Sequence, residues 1–342
     1  MKTVHARNVN EAYAIGMNML STSGIQEESR FGKVLVMPSP VTTTYLQPTE
    51  RVLFDKKRDC NPFFHLMESL WMLHGRNDVA WIEDFSSSIG QFSDNGINFN
   101  AAYGHRWRQH FDLDQIPLVI NELKENPDSR RAVLGMWDPR VDLNKEGKDF
   151  PCNLAISFRV NKDQFFDKSN LDMTVFNRSN DIIWGAYGAN AVHMSILQEY
   201  IAACLDIDCG RYYQVSNNYH AYVDVLARTG IPDPGPFDLY EMGQVDTIPL
   251  VDDPDHWMED LNTFMEAPEI GATPLYINNF FAHVAEPMRR SWNWYKNKDY
   301  PGALEMTEEI FANDWRLACH QWLTKRFEKH GRKKQVRKIA ED

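Results

Sequence analysis

Three short runs rich in β-branched and aromatic residues crowd into the stretch from Ala132 to Asn177, and this crowding constrains the fold more than any other feature. The runs read AVLGMWD, LAISFRV and LDMTVFN, and each has the composition of a strand. The apolar stretch from Ala189 to Leu205 that follows them is long enough for a buried helix. Strands and helices mix without a regular strand–helix–strand alternation, so we predict an α+β fold.

The remaining elements of the first 130 residues have clear signals. The run KVLVMPSPVTTTYL predicts β-structure interrupted by its two prolines. Pro62 opens the helical pattern FFHLMESLWMLHG and Gly75 is placed to end it. Residues 86–102 are rich in Ser, Gly, Asn and Asp and predict a loop, and IPLVINELKENPDS predicts a helix that ends near Pro127.

The end of the chain differs from the rest. Residues 301–327 predict one Trp-rich amphipathic helix, and residues 325–338 are crowded with Lys and Arg. A solvated helix end is the first interpretation of the basic stretch, and a contact with phosphate or with a partner is the alternative. We therefore predict a catalytic domain over residues 1–300 and a basic helical extension over residues 301–342.

Charge and cysteine usage exclude several classes of protein. The net charge of −12 gives no general attraction for nucleic acid or for anionic membranes, so an anionic ligand would need a local cluster of arginines. The odd count of five cysteines argues against a disulfide framework. Cys204 and Cys209 have no second pair to complete a zinc site, so we expect no metal.

Targeting signals are also missing from the sequence as given. The first twenty residues contain no uninterrupted apolar core and no small-residue cleavage site. No run of about 18 apolar residues predicts a membrane span. We expect a cytoplasmic protein.

Cys152, in DFPCN, directly precedes a predicted strand. A single cysteine is often a small core residue. A nucleophilic one needs nearby positive charge to populate its thiolate, and Arg130, Arg131 and Arg178 are candidates for that charge.

Two arginine-bearing motifs suggest phosphate binding. Arg130 and Arg131, in NPDSRRAV, lie at a predicted helix-to-strand junction, and guanidinium groups bind phosphate in a bidentate fork. A surface pair is the alternative. The motif NRSND at residues 177–181 concentrates polar groups before an apolar helix, where Ser179 or Asp181 could instead act as a cap or turn former.

The last candidate site residues are polar side chains that lie among apolar ones in two predicted elements. His220 and Tyr222, in SNNYHAY, alternate along a predicted strand and so lie on one face, where they suit hydrogen bonds to a sugar hydroxyl or form a half-buried aromatic pair. Glu68 lies on an otherwise apolar helix and must be paired, neutral or functional. Burial would raise its pKa towards the range useful for proton transfer.

The order of these motifs resembles that of the thymidylate synthases and the related pyrimidine nucleotide hydroxymethylases. The order is a Glu in an apolar helix, then YGxxWR, PDSRR, PC, RSxDxxxG, an Asn and HxY, over roughly residues 30–222. The resemblance implies a large twisted mixed β-sheet flanked by helices. It also implies a homodimer formed by the backs of two sheets, in which each site borrows arginines from the other subunit.

The resemblance implies that arginines of both subunits hold the substrate phosphate. Arg130 and Arg131 are similar to the pair that crosses the dimer. Arg178 and Ser179 resemble the residues that hold the phosphate from within the subunit. Arg30, in SRFG, is a looser match to a further phosphate arginine.

The resemblance also implies the catalytic groups. Cys152 looks like the nucleophile that adds to C6 of the pyrimidine. Glu68 is similar to the acid that organises water and protons around the base, and Tyr103, in YGHRWR, to the tyrosine that helps to remove the C5 proton.

The resemblance also implies residues that contact the sugar and the cofactor. His220 and Tyr222 resemble the pair on the 3′-hydroxyl of the sugar, and Asp181 the carboxylate that receives the pterin ring of 5,10-methylenetetrahydrofolate. Addition of the thiolate at C6 makes C5 nucleophilic towards the one-carbon unit of that cofactor. Hydride transfer to the resulting exocyclic methylene gives a methyl group, and water gives a hydroxymethyl group.

Several departures from the thymidylate synthase pattern favour water over hydride as the group that reacts with the exocyclic methylene. Where those enzymes place a Trp against the methylene, this chain has Ile89, although Phe92 or Trp184 could supply a shield instead. The His after the nucleophile is replaced by Asn153, and the Gln shortly beyond it by Ser157. The chain ends in QVRKIAED rather than in the short apolar tail that closes over folate. We expect hydroxymethylation, with methylation as the alternative.

The base is expected to be uracil. Family members that act on uracil have an Asn shortly beyond the Gly of RSxDxxxG, and a cytosine hydroxymethylase has Asp. A one-residue insertion in AYGAN places Asn190 in that role, where an amide can pair with O4 and N3–H. The predicted substrate is deoxyuridine monophosphate, with deoxycytidine monophosphate as the alternative.

A catalytically silent relative that only binds a nucleotide or a partner is the alternative outside enzymes. Cys152, Glu68 and Tyr103 together argue against it, because binding alone requires none of the three.

Overall fold

The computed structural model describes residues 1–162, 168–232, 238–267 and 274–341, with side chains described up to residue 330. Over these residues the strands are β1 (Lys2–Ala6), β2 (Ile25–Ser29), β3 (Gly32–Val36), β4 (Val41–Tyr45), β5 (Val133–Gly135), β6 (Asn153–Lys162), β7 (Ser169–Asn177), β8 (Asn180–Asp181), β9 (Asp208–Ser216) and β10 (Tyr219–Tyr222).

The α-helices of the described residues are α1 (Val9–Ser23), α2 (Pro62–His74), α3 (Val79–Glu83), α4 (Tyr103–Arg108), α5 (Gln115–Glu125), α6 (Pro139–Asp142), α7 (Asn190–Cys204), α8 (Val223–Thr229), α9 (Trp257–Glu266), α10 (Glu286–Lys296), α11 (Tyr300–Thr307) and α12 (Asn313–Glu341). A short 3₁₀ helix covers Ile89–Phe92, and π-helical turns cover Ile182–Ala189 and Phe281–Ala285. Apart from that 3₁₀ turn and a bridge at Asn98, residues 86–102 form the predicted loop.

A six-stranded mixed sheet is the centre of the fold. Its order is β1-β4-β9-β7-β6-β5, with β1–β4 and β7–β9 parallel and the other neighbours antiparallel. One face of β7 buries Leu171, Met173 and Val175 completely. This mixed sheet with its helices confirms the predicted α+β fold.

A second sheet, of order β2-β3-β10-β8, carries site residues beside the large sheet. β10 runs antiparallel to β3 and parallel to β8, so that His220 pairs with Asp181 across the sheet. The short strands thus bring two motifs that are about 40 residues apart in the chain to adjacent positions.

Two buried helices, α2 and α7, pack against each other. α2 begins at Pro62 with the Asn61 side chain accepting from Phe64 N, and it ends at Gly75, whose φ of +86° is the left-handed conformation that glycine adopts without strain. The predicted bounds of this helix and of α7 are therefore confirmed to within a residue.

The predicted single helix over residues 301–327 was wrong. The chain turns between α11 and α12, where the Phe311 amide donates to the carbonyl oxygen of His283 at 2.9 Å instead of to its own helix. This contact between distant segments has no signal in the local pattern.

The start of the basic stretch is held by ion pairs with the rest of the chain, whereas a solvated helix end was expected. Arg326 pairs with Asp59 at 2.9 Å, and Lys325 lies 3.2 Å from the same carboxylate. The expectation for the basic residues from 332 onwards lies outside the described side chains. No described helix combines the length and the apolar character that a bilayer crossing requires.

Candidate active site

Cys152 directly precedes β6, beside the end of the antiparallel strand β7. The Arg178 amide donates to the Cys152 carbonyl oxygen at 2.9 Å. The Arg178 guanidinium donates to the carbonyl oxygens of Pro151, at 2.8 Å, and Phe150, at 3.2 Å, and its Nη2 lies 3.9 Å from the Cys152 sulfur. The structure thus places a cation in a fixed position beside the predicted nucleophile.

Opposing effects act on the thiol. Burial raises the pKa of Cys152 above its ordinary value, while Arg178 and Arg30 lower it and Asp181 raises it further. Arg30 lies in the turn between β2 and β3, where it donates to the carbonyl oxygen of Gly147 at 2.9 Å. Because burial dominates, the thiol is mostly protonated in the free chain.

Tyr103 begins α4 and reaches the nucleophile. Burial raises the pKa of its hydroxyl, and the nearby backbone groups of Asn153 and Cys152 oppose that shift, so the hydroxyl is neutral. The next residue, Gly104, passes so close to α2 that a Cβ atom there would lie 1.8 Å from the Met72 carbonyl oxygen. Close packing of α4 on α2 therefore fixes the tyrosine against Cys152.

Asp181, His220 and Tyr222 lie together on β8 and β10. Asp181 Oδ1 caps the following helical turn by accepting from Ile183 N and Trp184 N, both at 2.8 Å, while its Oδ2 is buried without a hydrogen-bond partner among the described residues. Burial raises the pKa of Asp181, and His220 opposes that shift.

The His220 and Tyr222 rings are 5.7 Å apart in an edge-to-face arrangement. They lie on one face of the strand, as predicted. Nδ1 of His220 is buried without a hydrogen-bond partner among the described side chains, so it is available to a ligand.

Glu68, on α2, faces His193 on α7. The distance between Glu68 Oε2 and His193 Nε2 is 3.0 Å, and the two side chains are 17% and 4% exposed. The expectation that this carboxylate must be paired or functional is met by a histidine that the sequence analysis did not single out. Its signal was present, because His193 is an ionisable residue in an apolar helix.

A chain of buried amides continues from Asn153. Asn177 donates to Asn153, Asn153 donates to Asn190 Oδ1 at 3.5 Å, and Asn190 donates to Asn180 Oδ1 at 3.2 Å. Asn180 in turn donates to Gln214 Oε1 at 2.9 Å. The Asn190 amide is thereby held beside the residue that follows the nucleophile.

Arg130 and Arg131 point away from this constellation. Both are exposed, and Arg131, whose side chain is 80% exposed, pairs with Glu122 at 2.8 Å. Within the described residues, neither arginine is brought to the Cys152 of its own chain.

Ile89 is partly buried against the core, in the 3₁₀ turn. The two alternative shields are both about half exposed: Phe92 at 52% and Trp184 at 51%. The guanidinium of Arg58 stacks on Trp184 at 4.3 Å.

The sequence matches the family model for thymidylate synthase over residues 17–248. The chain belongs to the thymidylate synthase family. The chain is similar to three named relatives.

The first relative is a deoxyuridylate hydroxymethyltransferase of Pseudomonas phage M6, 45% identical over 95% of both chains. A protein of the same name from Bacillus phage SP01 is 40% identical over 56% of this chain and 52% of its own. A putative thymidylate synthase of Methanothermobacter marburgensis is 34% identical over 47% of this chain and 69% of its own.

The structure of this thymidylate synthase family member brings most of the expected site residues into one region. Contacts or electrostatic effects connect the following residues: Cys152, Tyr103, Arg178, Arg30, Asp181, His220 and Tyr222. Ser179 is half-buried beside Arg178. The sequence analysis did not assign a role to His193, and it took Asn177 and Asn180 only as parts of the motif NRSND, because their hydrogen-bond partners are distant in the chain.

Proposed function

We propose that this enzyme transfers a one-carbon unit to C5 of deoxyuridine monophosphate and releases 5-hydroxymethyldeoxyuridine monophosphate. The observation that carries this proposal is the 45% identity, over 95% of both chains, to a protein named deoxyuridylate hydroxymethyltransferase. The arrangement around Cys152 fits the covalent chemistry that such a reaction needs.

Cys152 is the nucleophile that adds to C6 of the base. Sulfur is the most nucleophilic side-chain atom near neutral pH, and Arg178 lies within 3.9 Å to favour the thiolate. Since burial keeps the free thiol protonated, addition requires transfer of its proton as the substrate binds.

Tyr103 and Glu68 manage protons at the base. The neutral Tyr103 hydroxyl lies against the backbone of the nucleophile, a position suited to assist removal of the C5 proton. Glu68 projects from α2 beside α7, the helix whose first residue, Asn190, faces Asn153. Proton transfer by positioned groups contributes roughly 10²–10⁴-fold to rates.

Arginines bind the phosphate. Arg178, Ser179 and Arg30 serve from within the subunit, while Arg130 and Arg131 come from a second subunit. The exposure of the last two supports this division, because exposed side chains can reach across an interface, where Arg131 would exchange its ion pair with Glu122 for the phosphate. Bidentate guanidinium binding gives the geometry for a phosphate dianion.

The interface is the outer face of the large sheet. Phe176 on β7 is 40% exposed there, and its neighbours across the sheet are Ala155 and Val215. A row of apolar side chains on an open sheet face favours association with a second copy. The proposed assembly is a sheet-to-sheet homodimer.

The residues near Asp181 fit the pterin ring of a reduced folate. Asp181 Oδ2 is buried and lacks a hydrogen-bond partner among the described residues, so it can accept from ring N–H groups. When bound, 5,10-methylenetetrahydrofolate supplies the one-carbon unit. Ile89 takes the place of an aromatic shield at the cofactor, and its smaller, non-planar side chain leaves room for water.

Asn190 reads the base. Its amide is held by Asn153 and Asn180, so the orientation of its remaining donor and acceptor is fixed before the base arrives. An oriented amide pairs with O4 and N3–H of uracil and leaves a cytosine mispaired. His220 and Tyr222 hold the sugar 3′-hydroxyl.

Product analysis tests the proposal. The protein is incubated with deoxyuridine monophosphate and methylenetetrahydrofolate, and both products are identified by mass. We expect 5-hydroxymethyldeoxyuridine monophosphate and tetrahydrofolate. Thymidylate with dihydrofolate would show methylation instead, and a failure to release tritium from C5-labelled substrate would show a silent binding protein.

A further inference from the structure

One buried histidine beside the proposed site has no role in the chemistry described so far. His193 is 4% exposed, and its Nε2 lies 3.0 Å from Glu68 Oε2. The two atoms are close without being aligned for a hydrogen bond, so Nε2 is a buried polar atom without a hydrogen-bond partner among the described residues. Such an atom costs free energy unless another molecule satisfies it.

The position of His193 on its helix connects it to the base. Asn190 and His193 are three residues apart on α7 and lie on the same face. Asn190 is held beside Asn153, next to the nucleophile. The Glu68–His193 pair therefore lies one helical turn along from the group that reads the base, on the same side of the helix.

The neighbouring charged groups are occupied or neutral. His65 lies one turn before Glu68 on α2, and burial, together with Arg58 and His193, holds its pKa well below the ordinary value. Arg58 donates its Nε to the Ile183 carbonyl oxygen at 2.8 Å and stacks on Trp184. Glu68 and His193 are thus the pair suited to exchange a proton with a bound water.

We propose that Glu68 and His193 together bind and deprotonate the water that captures the exocyclic methylene. This inference rests on the proposed hydroxymethylation. A water molecule near both atoms would satisfy Nε2 of His193 and the Glu68 carboxylate at once. An ordered buried water typically has about three polar partners, and the substrate itself provides the remaining one.

The water oxygen bonds to the exocyclic carbon while one of its protons passes to the Glu68–His193 pair. The electron pair of the exocyclic double bond moves to form an enolate at C4–O4. When the enolate collapses, C5 and C6 regain their double bond and the sulfur of Cys152 leaves C6 as a thiolate.

A competition between water and a small thiol tests the inference. The exocyclic methylene reacts with either, so 2-mercaptoethanol at fixed concentration converts uncaptured intermediate into a thioether. The full-length protein is compared with its His193→Gln variant, which keeps a polar side chain but cannot exchange a proton. The matched control is His65→Gln, a buried histidine on α2. Tritium release from C5, the hydroxymethyl product and the thioether are measured together.

For His193→Gln we expect tritium release to persist while the ratio of hydroxymethyl product to thioether falls at least about tenfold, in the range of general base catalysis. His65→Gln is expected to keep the ratio of the unaltered protein. Thermal unfolding and binding of deoxyuridine monophosphate verify that each variant folds. If the Gln variant does not fold, His193→Ser, which has a much shorter polar side chain, takes its place.

An unchanged ratio in His193→Gln would overturn the inference and leave the proposed function intact. An equal fall in tritium release and product would also overturn it, since His193 would then support the whole cycle. A 5-methyl product from the unaltered protein would overturn both proposals, and this outcome is visible before any variant is made.

Discussion

The backbone amide of Arg178 donates to the carbonyl oxygen of Cys152 at 2.9 Å. This one hydrogen bond joins the residue before β6 to the residue after β7, and the guanidinium and the thiol lie side by side there. Because their neighbours Asn153 and Asn177 are paired across the two strands, the charge beside the sulfur is held close to the sheet.

The pH dependence of Cys152 alkylation should reveal the effect of Arg178 on the thiol. Burial raises the pKa of the thiol and Arg178 lowers it, so the thiolate fraction at pH 7 should be below that of an ordinary cysteine and should grow as the pH rises through the raised pKa. Arg178→Ala removes the lowering effect and should shift the pH profile of iodoacetamide labelling further up. Labelling of Cys152, followed by peptide mass analysis, provides the measurement. A profile that moves down, or does not move, would contradict the assignment.

Subunit mixing should test the shared arginines. Arg131→Ala and Cys152→Ser proteins are each expected to be inactive, but a hybrid dimer contains one site with an intact Cys152 and an arginine from the other subunit. Activity should therefore return on mixing. The control is a mixture of Arg178→Ala with Cys152→Ser, which restores no complete site because both residues belong to the same subunit. Absence of rescue despite proven subunit exchange would place Arg131 outside the partner's site.

Replacing Asn190 with Asp should move the preference from the uracil towards the cytosine nucleotide. The carboxylate suits the amino group of cytosine, and each unpaired polar group at the base edge costs about 1–3 kcal/mol. The ratio of kcat/KM for the two nucleotides gives the measurement. Asn190→Ala is the control, since it should weaken both substrates without inverting their order. If the Asp variant keeps its original preference, another residue reads the ring.

Gly104→Ala should destabilise the protein and reduce its activity. The added Cβ would lie 1.8 Å from the Met72 carbonyl oxygen, so α4 must move, and overpacking of this kind costs about 1–3 kcal/mol. Because α4 begins at Tyr103, the movement should also lower C5 tritium release. Gly135→Ala is a matched control, as its nearest neighbour would be an ordinary 3.7 Å away. Thermal or urea unfolding of both variants gives the comparison, and equal stabilities would contradict the packing argument.

Sequence reasoning worked best where local chemistry decides the structure. The bounds of α2 followed from Pro62 and Gly75, and the strands near residues 132–177 followed from their composition. It was wrong at residues 301–327, because the break between α11 and α12 depends on the contact of Phe311 with His283. Two segments from different parts of the chain meet there, and neither carries a local signal of the other.

The sequence by itself determined the family and predicted its chemistry: the proposed nucleophile Cys152, the arginine motifs and the mixed fold follow from residue types in a fixed order. Only the tertiary structure decided which groups meet. Glu68 and His193 are far apart in the chain, and they come within 3.0 Å because the apolar faces of α2 and α7 pack together. Burial is a property of that packing, and it is burial that raises the pKa of Cys152 and leaves Nε2 of His193 without a hydrogen-bond partner in the part of the chain that the structure describes.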